Sequence, residues 1–326
     1  MATTLILGGT AWLGREIASR LLAQGDRVTC LARGESGTVP DGATLVRADR
    51  SRPGAYDEVA RTDWDEVVDV SRDPSTVAGA VAALGPRAAH WTFVSTTSVY
   101  AHDDDPPGAD ESAETVEPTD LGQYAHAKVA AERATVAALG DRLLVARLGL
   151  VVGPGDPSDR FGYWVSRLAL ADDGPVLSPV RGDRHAQVVD VRDAAGWIAG
   201  TAGRGTTGTV NVVGHAVPLA DLLDEAAAVS GFRGELVTAT DEWLAENGVD
   251  HWTGQRSLPL WLPASCTGFF RRSNAAFLAA GGALRPVRDT LTGTLEDERA
   301  RGLERPRRAG IPRGEEMELL ARLAGG

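Results

Sequence analysis

The chain opens on an apolar run that stops at two glycines, and this constrains its fold more than any other feature. Thr4-Leu5-Ile6-Leu7 reads as a short buried strand, and residues 13–23 read as a helix with Ile17, Leu21 and Leu22 on one face. Between them lies the turn Gly8-Gly9-Thr10-Ala11-Trp12-Leu13-Gly14, followed by Arg15. A helix that starts directly after a strand presents unpaired N–H groups and the positive end of its dipole at the strand's tip. Such a turn is an anion site suited to a pyrophosphate. Gly8 permits the tight turn and Gly14 lets helix and strand pack closely. Ala11 stands where a dinucleotide fingerprint has its middle glycine, which makes the backbone approach less easy without forbidding it.

The alternation begun there continues. Strand patterns at 27–31, 44–46, 67–70, 91–95 and 143–147 are interleaved with helical patterns at 74–84 and 124–139, the last ended by Gly140. Short strands alternating with helices predict an α/β fold: a Rossmann-type, doubly wound parallel sheet with helices on both faces. After Gly153-Pro154-Gly155 the regularity fades, although 161–171 and 219–229 read as helices. Segments 186–191 and 209–213 read as further strands, separated by a helix from Asp193, taken as its N-cap, to about 202. The division expected is a nucleotide-binding domain over 1–155, its sheet completed by about 186–213. A smaller C-terminal substrate lobe takes 156–185 and 214–326. The acidic, proline-rich stretch 102–120 reads as a solvated loop.

Composition narrows the function classes. The formal net charge is -12 with a pI near 5.0, which lacks the clustered positive charge that nucleic-acid binding needs. Cys30 and Cys266 form no CxxC, which fits a reducing cytoplasm; no apolar stretch suggests a membrane anchor; the six histidines show no metal-ligand spacing. The chain is expected to be cytoplasmic, without metal, membrane or nucleic-acid partner, acting on a small molecule as a monomer or homodimer. Of its 33 basic residues one alone is lysine, Lys128. Coding that favours arginine wherever positive charge suffices leaves lysine where a guanidinium would not serve.

Lys128 follows Tyr124 by four residues in Tyr124-Ala125-His126-Ala127-Lys128, so the two share a helix face. A phenol is a poor acid–base group at its ordinary pKa of about 10. A nearby ammonium stabilises the phenolate and makes proton exchange with a carbinol feasible. The compact ammonium can also reach ribose hydroxyls. The strand before this helix ends in hydroxyl groups, Ser95-Thr96-Thr97-Ser98; Thr96, with Thr97 in reserve, is placed to hold a substrate oxygen. At the tip of the second strand Arg33 stands where an NAD site carries a carboxylate for the ribose 2′-hydroxyl. This points to NADP(H) over NAD(H), with Arg15 as a second cation and Asp49 as an acceptor for the adenine amino group.

Together, Gly8 to Gly14, Asp49, the Ser-Thr-x-x-Val-Tyr segment ending at Tyr100, and Tyr124-x-x-x-Lys128 resemble the short-chain dehydrogenase/reductase superfamily. The Val-Gly-Pro-Gly after the sixth strand and the Val-Asp-Val-Arg-Asp run at 189–193 resemble its extended branch, the NAD-dependent epimerase/dehydratase proteins. The resemblance covers most of residues 1–215. It implies Thr96 as the catalytic hydroxyl beside Tyr124 and Lys128. Three departures shape the reading. Thr97 and Ser98 replace the acidic pair of the 4,6-dehydratases. Leu150 lies where sugar-nucleotide epimerases commonly have Asn. The Gly-Gly-Thr opening with Ala11 is similar to atypical proteins near the chloroplast stem-loop-binding type, some of which bind RNA. Simple hydride transfer on a carbonyl/alcohol pair is therefore the leading expectation. A sugar-nucleotide epimerase with retained cofactor and a non-enzymatic dinucleotide- or RNA-binding protein are the alternatives. On the substrate side, Arg160 and Trp164 are expected to line the pocket, and Arg184 with His185 to lie near a substrate phosphate.

Overall fold

The computed structural model describes residues 1–325. Six strands, β1 (Thr3–Leu7), β2 (Arg27–Ala32), β3 (Thr44–Arg47), β4 (Trp64–Asp69), β5 (Ala88–Thr96) and β6 (Leu143–Leu148), join the strand Gly208–Val212 in one sheet. The order runs from Gly208–Val212 through β6, β5, β4, β1 and β2 to β3, with parallel pairing throughout. The chain winds outward in both directions from the β1–β4 seam, so the tips of β1 and β4 flank the switch point at which such sheets bind ligands. This is the doubly wound α/β fold the sequence implied.

The helices follow from local signals. α1 (Trp12–Ala23) buries Ile17, Ala18 and Leu21; α2 (Pro74–Leu84) starts on an Asp73 cap that accepts from Thr76 N at 2.8 Å, with Pro74 at its first position. α3 (Tyr124–Leu139) ends where Gly140 takes a φ of 57°. Leu5, Leu7, Val67, Trp91, Phe93 and Val145 form the core beneath α2 and α3. α1 instead packs with α5 (Val191–Ile198).

The chain divides into two compact units. The first takes residues 1–151, 191–214 and 272–284; the second takes 152–190, 215–271 and the chain from 285 onward. In the second, α4 (Arg160–Ala171) packs with the helices Leu219–Ser230 and Val287–Arg301. Strand Val176–Pro179 pairs in parallel with Leu236–Ala239. Asp159, buried at a φ of 62°, accepts from Arg308 N at 2.8 Å and pairs with Arg301 and Arg305, which also meet the buried Glu298.

Two expectations need correction. Gly208–Val212 completes the main sheet, but His185–Asp190 does not: it pairs antiparallel with Ala216–Pro218. Two short β-branched runs look alike in sequence, and periodicity cannot assign their partners. The helix expected from 193 to about 202 is two, α5 and Thr201–Arg204 with Gly200 between, and Asp193 sits inside the first turn of α5 instead of capping it. The loop 102–120 is largely exposed but not loosely attached. Glu111 accepts from Asn211 N at 2.7 Å, and Arg272 pairs with Asp105 at 2.6 Å and donates to His102 O.

Candidate active site

The turn after β1 has no room for side chains at its glycines. Gly8 has a φ of 106°, and a Cβ there would lie 2.6 Å from Val70 Cγ2; one on Gly14 would lie 2.5 Å from Gly8 O. A Cβ on Gly9 would run into Cys30 Sγ. Thr10 is buried, Trp12 and Leu13 half-buried, and Ala11 occupies the extended N-cap position of α1, its carbonyl accepting from Arg15 N at 2.8 Å. No side chain caps α1, whose start faces the turn as an anion-binding helix N-terminus does.

Beside this turn lies a cavity of about 370 Å³, lined among others by Gly8, Thr10, Ala11, Arg33, Glu35 and Asp49. Arg33 is there as expected, yet its Nε lies 3.2 Å from Glu35 Oε2, a carboxylate two residues further along the same loop. Asp49 accepts from Ser51 Oγ at 2.7 Å and Ser51 N at 3.0 Å, bonds that hold its carboxyl below the ordinary range. Its acceptor capacity is partly committed to this turn. Arg15 is exposed and does not line the cavity.

Tyr124 is the first residue of α3 and 42% exposed; Lys128, one turn on, is 3% exposed. The ammonium of Lys128 donates to Val94 O at 2.6 Å and Ser71 O at 2.7 Å, and stands 4.8 Å from the centroid of Phe93. These bonds fasten the head of α3 to the tips of β4 and β5. Burial lowers the Lys128 pKa to about 8, against the opposing pull of Asp69 and Glu132, while Arg72 lowers it further. Thr96 ends β5, two residues beyond the carbonyl that Lys128 grips; its Oγ1 accepts from Ser98 N at 3.2 Å. Thr97 opens the short turn Thr97–Val99 packed against α3.

Sequence reasoning missed the supports of this constellation. Glu132, one turn beyond Lys128, receives both arms of Arg147 at 2.8 and 3.2 Å. Arg147 also donates to Tyr100 Oη, which donates to Asn211 Oδ1 at 2.6 Å, and the Arg272 guanidinium lies 4.0 Å over the Tyr100 ring. Arg72, in the loop after β4, stands 5.4 Å from the centroid of Tyr124. The lone arginine inside β6, Arg147, was the available signal for the first of these. Nothing in sequence brings Arg72 to Tyr124.

Arg160, Trp164 and Arg184 all lie in the second unit, where each has partners of its own. The Arg160 guanidinium sits 4.5 Å over Trp252. Trp164 is 2% exposed and donates from Nε1 to Pro259 O at 2.8 Å, a core position. Arg184 pairs with Asp241 and donates to Leu262 O. Among the described residues there is no acidic, histidine or cysteine cluster that could hold a metal, and no helix long and apolar enough to cross a membrane.

The doubly wound sheet, the glycine turn at its switch point and Tyr-x-x-x-Lys at the head of the helix after β5 are the features on which the resemblance to the short-chain dehydrogenase/reductase superfamily rests. Residues 74–214 match the model of the NAD dependent epimerase/dehydratase family, and the resemblance to the extended branch is borne out. The match spans the Thr96, Tyr124 and Lys128 segment and leaves out the glycine turn. No curated protein matches the chain. Among solved structures, a protein from Burkholderia cenocepacia J2315 superposes with a TM-score of 0.71 at 22% identity, covering 92% of this chain and 98% of that one. The Bordetella bronchiseptica enzyme WbmH in complex with NAD+ gives 0.69 at 17%, covering 92% and 98%. UDP-glucuronic acid 4-epimerase from Bacillus cereus in complex with NAD gives 0.68 at 13%, covering 91% and 99%. At these identities the likeness is one of fold.

Proposed function

We propose that the chain is a nicotinamide-dependent oxidoreductase in which Tyr124 exchanges a proton with the oxygen of a carbonyl/alcohol substrate. The observation that carries this reading is the buried Lys128 ammonium, bonded to Val94 O and Ser71 O one turn below the exposed Tyr124. It keeps a positive charge one helical turn from a phenol at the exposed head of α3, where proton exchange with a bound oxygen is feasible. Thr96 holds the substrate oxygen beside Tyr124, with Thr97 as its neighbour in the turn.

The residues present fit a dinucleotide. The glycines let the turn close tightly between β1 and α1, no side chain caps α1, and the cavity beyond is roomy enough for an adenosine. Gly8, Gly9, Thr10, Ala11, Trp12, Leu13 and Gly14 would hold the pyrophosphate, Arg33 and Asp49 the adenosine, and Lys128 the nicotinamide ribose. When bound, the nicotinamide supplies the hydride donor or acceptor. Arg33 in the cavity lining supports NADP(H). Fluorescence titration with NADPH and NADH tests this: tighter NADPH binding is expected, and a clear NADH preference would contradict it.

A second reading has one observation in its favour. Glu35 pairs with Arg33 in the same cavity, so a carboxylate is present where NAD is recognised. Two structural neighbours are described as epimerases complexed with NAD. Under that reading the same trio oxidises and re-reduces one sugar-nucleotide centre, and no net cofactor turnover accompanies catalysis.

A further inference from the structure

Arg72 sits at the switch point, in the loop between β4 and α2. It is exposed, it makes no hydrogen bond or ion pair with any described residue, and its guanidinium stands 5.4 Å from the Tyr124 ring centroid. Arg50, from the end of β3, is spent on Asp69, Tyr56 Oη and Thr76 O, and Arg147 is spent on Glu132 and Tyr100. The chain carries a net charge of -12, so carboxylates are abundant, yet none pairs with Arg72.

We propose that Arg72 is a positioning residue of the proton-transfer site, a second and permanently charged cation that holds the Tyr124 ring and favours its phenolate. This rests on Tyr124 being the proton-exchanging group. A guanidinium over a ring face is attracted to the π-cloud and more strongly to a phenolate. Lys128 alone is an incomplete partner. Its ammonium is committed to Val94 O and Ser71 O, and burial brings its pKa to about 8, so its charge begins to fade just above neutral pH. An arginine keeps its charge throughout that range.

The other charged groups on the surrounding elements are already engaged. Asp69 at the tip of β4 faces Arg50, and Glu132 on α3 faces Arg147. Asp73 caps α2, and Asp120, in the loop before α3, accepts from Gly122 N and Gln123 Nε2. His126 Nδ1 accepts from Asp120 N. Arg72, by contrast, stands over the Tyr124 ring with no ion pair to any described residue.

The chain suits a direct test, because it has one lysine and four tyrosines. Protein labelled at lysine Cε and tyrosine Cζ gives one lysine signal, and Tyr124→Phe assigns the Tyr124 signal by subtraction. In Arg72→Gln both midpoints are expected to rise, that of Tyr124 by roughly half a pH unit at low ionic strength, and less at high salt. Arg72→Lys is expected to restore most of the shift. The alkaline-side pH dependence of kcat, where turnover is measured, should move upward by the same interval with KM for the cofactor little changed. Midpoints that stay in place in Arg72→Gln would overturn the proposal. Absence of cofactor turnover in the unmodified protein would count against the hydride-transfer reading alone, since the titration still decides what Arg72 does to Tyr124.

Discussion

At the scale of single residues, the account turns on a tyrosine that is half outside and a lysine that is wholly inside. Tyr124→Phe removes the proton path and leaves the fold alone; turnover is expected to fall by about 10²–10⁴-fold with an unchanged melting temperature. Lys128 makes a pH-dependent contribution to stability whose sign can be worked out. Its folded pKa, about 8, lies below the ordinary 10.5, so between those values the unfolded chain binds more protons than the folded one. Stability attributable to Lys128 therefore rises with pH from about 8 to 10.5, and below 8 the buried charge costs on the order of a few kcal/mol. Denaturant unfolding of Lys128→Met against the parent chain checks this: the variant's relative stability is expected to decline as pH rises through that window. In the adenosine cavity, Glu35→Gln frees Arg33 and is expected to improve NADPH binding by about tenfold, a charge-assisted bond's worth, with little change for NADH. Equal changes for both cofactors would contradict the role given to Arg33.

At the scale of elements, the first unit was legible because its signals are local. Glycines marked the turn after β1, proline opened α2, Gly140 closed α3, and i,i+4 spacing paired Tyr124 with Lys128. The second unit was legible only in part. Helix Val287–Arg301 buries Thr290, Leu291, Thr294, Leu295 and Glu298, and helix Arg313–Gly325 buries Glu316 with Leu319 and Leu320. A face of mixed threonine, carboxylate and leucine hides the apolar period by which helices are recognised. The strand expected at 67–70 begins earlier, at Trp64, which lies between two aspartates yet is buried, with its indole donating to Val59 O at 2.9 Å. Two element-level predictions follow from packing. Gly14→Val places a side chain against Gly8 O and is expected to weaken nucleotide binding and lower stability together, as titration and thermal melting would show. Trp164→Ala empties a core site under α4 and is expected to cost about 3–5 kcal/mol without a selective rise in substrate KM. A selective rise at unchanged stability would return Trp164 to the substrate side.

At the scale of the whole molecule, the sheet order decides what meets what. Only because β4 lies between β1 and β5 do Ser71 and Arg72 come to the head of α3, which is why Arg72 was invisible in sequence while Tyr124 and Lys128 were not. The network of Glu132, Arg147, Tyr100, Asn211 and Arg272 also joins residues far apart in the chain, and fixes the loop leading into Tyr124. Buried charges of this kind contribute orientation more than net stability. The fold class could be read from alternation alone; the supports of the site needed three dimensions. The central claim, proton exchange at Tyr124 coupled to hydride transfer, is tested most directly with NADPH deuterated at the transferring carbon of the nicotinamide, offered with a panel of carbonyl compounds. The account predicts deuterium on the new carbinol carbon of at least one product, and its loss in Tyr124→Phe. Inversion of a sugar-nucleotide centre with no net deuterium transfer, or transfer unaffected by Tyr124→Phe, would contradict it.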